Sequence, residues 1–197
     1  MPTTEILLRR FSVVTARRFE EAVERVTATI GHPDANRFRK ALDGARTDAD
    51  LHKVVQQAVG SSDLIEFVRF DAGGILRKEQ GAQAPKILRL LVGNPIIMKD
   101  MARSVPDAAA YAPVTILIDE RRDGVHLSYD SMASLIAPYG SPAALAIAND
   151  LDTKIENLLS VAAEASDEDG KASDPTCDTG SLAATDLILR GGFLDDW

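Results

Sequence analysis

The spacing of apolar residues changes several times along the chain. Residues 5–15 (EILLRRFSVVT) end in β-branched residues and predict a strand. From about Arg17 the spacing turns helical, with Phe19, Ala22, Val23, Val26 and Ile30 on one side and Glu20, Glu21, Glu24 and Arg25 on the other. Gly31 and Pro33 end that helix. Residues 33–60 predict two short helices. The first carries Phe38, Ala41 and Leu42; the second is opened by Thr47, carries Leu51, Val54, Val55, Ala58 and Val59, and is ended by Gly60. Residues 64–70 (LIEFVRF) predict a strand turned by Asp71-Ala72-Gly73-Gly74. Ile75 and Leu76 are expected to resume strand pairing before a polar loop through Pro85.

A third strand, residues 86–92, runs directly into Gly93-Asn94-Pro95. Asn94 suits a helix N-cap and Pro95 the first helical position, so a helix begins there and turns Ile97, Met98, Met101 and Ala102 inward. Val114–Ile118 and Val125–Tyr129 flank Arg121-Arg122-Asp123-Gly124, a strong hairpin signal. A turn or short helix over Ser131–Ile136 comes next. Ser141-Pro142 then opens the longest helix, to about Ala165, with Ala144, Ile147, Ala148, Leu151, Ile155, Leu158, Leu159 and Ala162 inward. The order is β-α-(αα)-β-β-α-β-β-α. Strand pairs joined by turns predict an α+β fold, a mostly antiparallel sheet with helices packed on one face.

The apolar fraction of 45% fits a folded domain of 197 residues, and no apolar run is long enough for a membrane helix. No signal peptide is visible at the N-terminus, so a soluble, cytoplasmic protein with no membrane partner is expected. The net charge of −8 is unevenly spread. Residues 164–197 hold nine acids against Lys171 and Arg190, which leaves residues 1–163 at −1. The chain therefore divides into a domain over 1–165, an acidic linker over 166–180 and a short apolar segment over 181–197. In that last segment Ser181 caps a helix-like run with Leu182, Leu187, Ile188 and Leu189.

Between Phe67 and Tyr129 the residues resemble the domain-of-unknown-function 302 family, a widespread bacterial and archaeal α+β domain. Phe70-Asp71 with Gly74, then Leu91-Val92-Gly93-Asn94-Pro95, carry the resemblance, with Met101, Pro106 and Tyr111-Ala112-Pro113-Val114 after them. The Asp123-Gly124 hairpin ending at Tyr129 and the helix containing Leu151-Asp152 continue it, so that it spans about 11–165. It implies a fold and a homodimer, and no reaction. Some relatives have a cysteine before the Asn-Pro pair; here Gly93 stands there, so any thiol chemistry imagined for them is absent.

Gly93, Asn94 and Pro95 are the best candidate ligand-binding residues, because a helix start offers amide donors and a positive dipole end to a polar or anionic group. The same residues also suit a purely structural turn and cap. Asp71, at a strand end before two glycines, fits either a general base or an ordinary turn. Glu66 is expected on the solvent side. His32, His52 and His126 lack metal-ligand spacing, and no dinucleotide or phosphate-binding glycine pattern is present, so neither a metal site nor a cofactor is expected. Cys177, in the linker beside Asp178, has nothing to activate it.

The basic pairs Arg9-Arg10, Arg17-Arg18 and Arg121-Arg122 lack interleaved aromatics, which disfavours nucleic acid as a partner. Three functions stay open. The first is binding of a small polar or anionic metabolite near Gly93-Asn94-Pro95, within walls from Phe67, Met98, Met101 and Tyr129. The second is an enzyme on a small carbonyl-bearing or anionic metabolite, using Asp71, Asn94 and Tyr129. The third is a dimeric structural or interaction protein.

Overall fold

The computed structural model describes residues 5–164, so the linker over 166–180, the segment over 181–197 and Cys177 lie outside the described residues. Its elements are β1 (Arg10–Thr15), α1 (Phe19–Thr27), α2 (Ala35–Gly44), α3 (Asp48–Gln56), β2 (Ile65–Asp71), α4 (Gly73–Gln80) and β3 (Ile87–Gly93). They continue as α5 (Pro95–Ala102), α6 (Ala108–Tyr111), β4 (Val114–Arg121), β5 (Gly124–Asp130), α7 (Met132–Ile136) and α8 (Pro142–Ala163). The strands form one sheet in the order β1-β5-β4-β3-β2, with every neighbouring pair antiparallel.

Alternation along the strands sets the layering. Leu88, Leu90 and Val92 of β3, Val114, Ile116 and Ile118 of β4, and Val125, Leu127 and Tyr129 of β5 share one face and are buried. They pack with Ala22 and Val26 of α1, Met101 of α5, and Ala148, Leu151, Ile155 and Leu159 of α8 in one apolar core. The fold is therefore α+β with helices on one face of an antiparallel sheet, as the periodicity predicts. On the opposite face Val14, Val68 and Phe70 stand half-exposed, in the register of Leu91 and Leu117.

Residues 73–80 depart from expectation: they form α4 instead of resuming strand pairing. Oδ1 of Asp71 accepts the backbone N–H of Gly74 at 2.8 Å, and Arg77, one turn later, pairs with the same carboxylate. Asp71 thus opens a helix where its sequence reads as a turn, and Ile75 is left exposed. α6 is a further short element that the apolar spacing does not announce.

A second local device joins α1 to β2. The Gly31 N–H donates to the Leu64 carbonyl at 2.8 Å and the Gly31 carbonyl accepts from Glu66 N–H at 2.9 Å, making a one-residue parallel bridge to Ile65. A Cβ on Gly31 would fall 1.9 Å from the Ala58 carbonyl oxygen, so glycine is required by the contact of two backbone segments. Along β2 the register slips between Glu66 and Val68, which marks a bulge at Phe67.

Candidate functional site

Asn94 lies between β3 and α5 because β3 ends at Gly93 and Pro95 starts the helix. Its Oδ1 accepts the Ile96 N–H at 2.8 Å, the expected N-cap. Its amide nitrogen donates to the Asp63 backbone carbonyl at 3.0 Å and to Asp63 Oδ1 at 3.1 Å. Asp63 adopts a left-handed backbone, φ 61°, and its other carboxylate oxygen accepts from Lys154 Nζ of α8 at 2.5 Å. Asn94 is 7% exposed, and both of its amide hydrogens are used inside the chain.

Beside this junction is a cleft of about 220 Å³ lined by Leu42 of α2, Phe67 of β2, Asn94, Pro95 and Met98 of α5, and Ala112-Pro113. The Ala112–Pro113 peptide is cis. Phe38 backs the wall, its ring centroid 6.3 Å from that of Phe67. A Cβ on Gly93 would lie 3.3 Å from both Cα and Cβ of Pro113, so the missing side chain is what lets the proline close over this end of β3. Phe67 and Met98 line the cleft as predicted. Met101 and Tyr129 do not: both are in the core.

Tyr129 has a different role. Its hydroxyl donates to Asp152 Oδ1 at 2.6 Å and accepts the Met132 N–H at 3.0 Å. Burial, then the Asp152 carboxylate, pushes the phenol well above the ordinary tyrosine pKa. Asp152, 3% exposed, also accepts from the Ser131 hydroxyl, from Met132 N–H at 2.7 Å and from Ala133 N–H at 3.2 Å. The Arg9 guanidinium lies 3.8 Å away. This carboxylate anchors the start of α7 to α8. Its importance is signalled in the sequence only by an acid falling on the inward stripe of Ala148, Leu151, Ile155 and Leu159.

Asp71, Asn94 and Tyr129 are not brought together. Asp71 pairs with Leu88 at one end of β3, whereas Gly93, next to Asn94, pairs with Ile65 at the other. At about 3.4 Å per residue the two ends are roughly 17 Å apart. Glu66 also departs from expectation: its carboxylate is 10% exposed, accepts from Arg69 at 2.9 and 2.8 Å, and lies 3.6 Å from His32. An edge-strand bulge turns it under the arginine instead of into solvent.

The histidines are scattered. His52 is 3.2 Å from Asp48 and His126 is 3.0 Å from Asp123, each within its own element or turn. Among the described residues no group of His, Cys, Asp and Glu is arranged to hold a metal ion. The basic pairs are largely consumed locally: Arg9 by Glu156, Arg10 by Asp130, Arg17 by Glu21 and the Glu164 carbonyl, and Arg121 by Asp119. Among the described residues no helix is long and apolar enough to cross a membrane.

A five-stranded antiparallel sheet with one helical face and a Gly-Asn-Pro junction at the end of β3 defines the class: an α+β domain with a capped strand-to-helix turn. The model of the family described as "Domain of unknown function DUF302" matches residues 46–162, and the chain belongs to that family. The match begins after α2, so β1, α1 and α2 precede it. The fold is similar to the crystal structure of an uncharacterized conserved protein DUF302 from Bacillus stearothermophilus, at 13% identity and a TM-score of 0.54. That comparison covers 78% of this chain and 97% of the other. No curated protein matches this sequence.

Proposed function

We propose that this chain binds a compact, largely apolar small molecule in the cleft beside Gly93-Asn94-Pro95. One observation carries this reading: six apolar residues from several elements surround the 220 Å³ opening, and Asn94 contributes its only polar side chain. Because the Asn94 amide is already bonded to Asp63 and Ile96, it acts as a rigid floor. The expectation of a polar or anionic ligand therefore gives way to an apolar one at this place. Native mass spectrometry of the purified chain, with Met98→Trp filling the cleft, tests the reading. A retained mass that Met98→Trp abolishes supports it. No retained mass, together with no melting shift from indole or cyclohexanol, overturns it.

A second copy of the chain on the open sheet face is favoured by the half-exposed Val14, Val68 and Phe70. The same face carries Arg10 with Asp130 and Arg121 with Asp119, both signs together, as a self-complementary two-fold contact needs. The enzymatic use of Asp71, Asn94 and Tyr129 has no comparable support, because the three side chains do not share a site.

A further inference from the structure

The helix layer leaves the Asp71 end of β2 uncovered. Between α1 and that edge strand lies a cleft of about 450 Å³, distinct from the one beside Asn94 and at the other end of β3. Phe19 and Val23 of α1, Ala84 and Leu88 form its floor, and Arg69, Arg77 and Lys86 stand at its rim. Arg69 and Asp71 occupy the register opposite Leu90 and Leu88, the face that is apolar in β3 and buried in the core. Charged residues at core-facing strand positions, over a gap in the covering layer, are not what packing calls for.

Each cation holds a carboxylate of the protein. Arg69 makes two bonds to Glu66, Arg77 pairs with Asp71, and Lys86 donates to Glu20 at 2.5 Å. The partners differ in how firmly they are held. Glu66 is 10% exposed and stays with Arg69, whereas Asp71 and Glu20 are 56% and 64% exposed. Exposed pairs of this kind are weak, so another anion replaces such an acid at small cost. Asp71 keeps its bond to the Gly74 N–H after such an exchange, so α4 stays capped. The Lys86 ammonium also lies 5.7 Å over the Phe19 ring, which sets it directly above the apolar floor.

We infer that this cleft binds an amphiphilic anion, whose carboxylate or phosphate head displaces Asp71 from Arg77 and Glu20 from Lys86. A short apolar body rests on Phe19, Val23 and Leu88. Calorimetric titration of the full chain with octanoate, octyl phosphate, octanol and acetate tests this. At least one of the two amphiphilic anions is expected to bind tenfold or more tighter than octanol and acetate, and the tighter one identifies the head group. The double variant Arg77→Gln/Lys86→Gln is expected to lose that tenfold preference with the fold intact, since both side chains are on the surface. Val23→Trp is expected to abolish binding of the preferred anion, and any octanol heat that remains in it belongs to the apolar cleft beside Asn94. Octanol binding as tightly as the anions, acetate matching octanoate, an unaltered double variant, anion binding that survives Val23→Trp, or no heat from either anion at millimolar concentration each overturns it.

Discussion

The Tyr129 hydroxyl and the Asp152 carboxylate meet at 2.6 Å inside the core, joining the end of β5 to the middle of α8. Asp152 gathers the Ser131 hydroxyl and two backbone amides of α7 as well, so one buried acid satisfies four donors. Asp152→Ala strands three of them, since the Met132 N–H keeps its bond to the Tyr129 hydroxyl. The expected loss is about 3–4 kcal/mol in urea unfolding, against about 1–2 kcal/mol for Tyr129→Phe, which leaves the carboxylate bonded to the other three.

The same pair predicts an alkaline limb of stability. Below pH 10 the phenol is protonated in the folded and unfolded chains alike, and stability does not depend on it. Above about 10 the unfolded chain loses this proton while the folded one, whose Tyr129 pKa is raised by burial, retains it, so stability falls as pH rises. Tyr139, raised to about 12 by the Tyr111 hydroxyl, acts in the same direction from an exposed position. Denaturant midpoints from pH 9 to 11 should decline less in Tyr129→Phe than in the parent, and a decline equal to the parent's would remove Tyr129 as its source.

Asn94 combines a helix cap with a tether to the loop at Asp63. Asn94→Ala removes both, for an expected loss of about 2 kcal/mol in urea unfolding. Asn94→Ser keeps a capping oxygen and gives up the bonds to Asp63. Its loss should be smaller, and equal losses would show that the cap contributes nothing.

Gly93 is held against Pro113 with little room. Gly93→Ala asks the proline to retreat by a few tenths of an ångström and should cost about 1 kcal/mol, while Gly93→Val should cost about 3 kcal/mol or more. Thermal unfolding of the two variants separates these outcomes.

The open sheet face has its own test. If Val68 and Phe70 meet a second copy, Val68→Lys/Phe70→Lys should convert a dimer to a monomer in sedimentation equilibrium without lowering the melting temperature of the monomer. A parent that sediments as a monomer, or a double variant that remains dimeric, removes the dimer from this face.

Elements with a strong local signal are legible in the sequence. Asn94-Pro95 announces α5, Ser141-Pro142 announces α8, and Thr47 opens α3 through a reciprocal pair with Asp50. α4 is hidden because Asp71 before two glycines specifies a turn as readily as a helix start, and only the return of Arg77 decides between them. The pairing of Asn94 with Asp63, and of Tyr129 with Asp152, spans 31 and 23 residues, distances over which no local spacing rule operates. For the same reason Asp71 and Asn94 read as partners in one site until strand register puts them at opposite ends of β3.

The glycine bridge at Gly31 bears on how the molecule behaves when crowded. β2 is an outer strand, and a long, flat, unpaired strand edge is a template for adding strands from other chains. Here Gly31 occupies the hydrogen-bonding groups of Leu64 and Glu66 at the start of that edge, and the bulge at Phe67 bends the strand beyond it. The edge that would otherwise seed fibril growth is thereby blunted by backbone alone, so any substitution that pushes Gly31 off β2 should reveal itself first as aggregation and only second as lost stability.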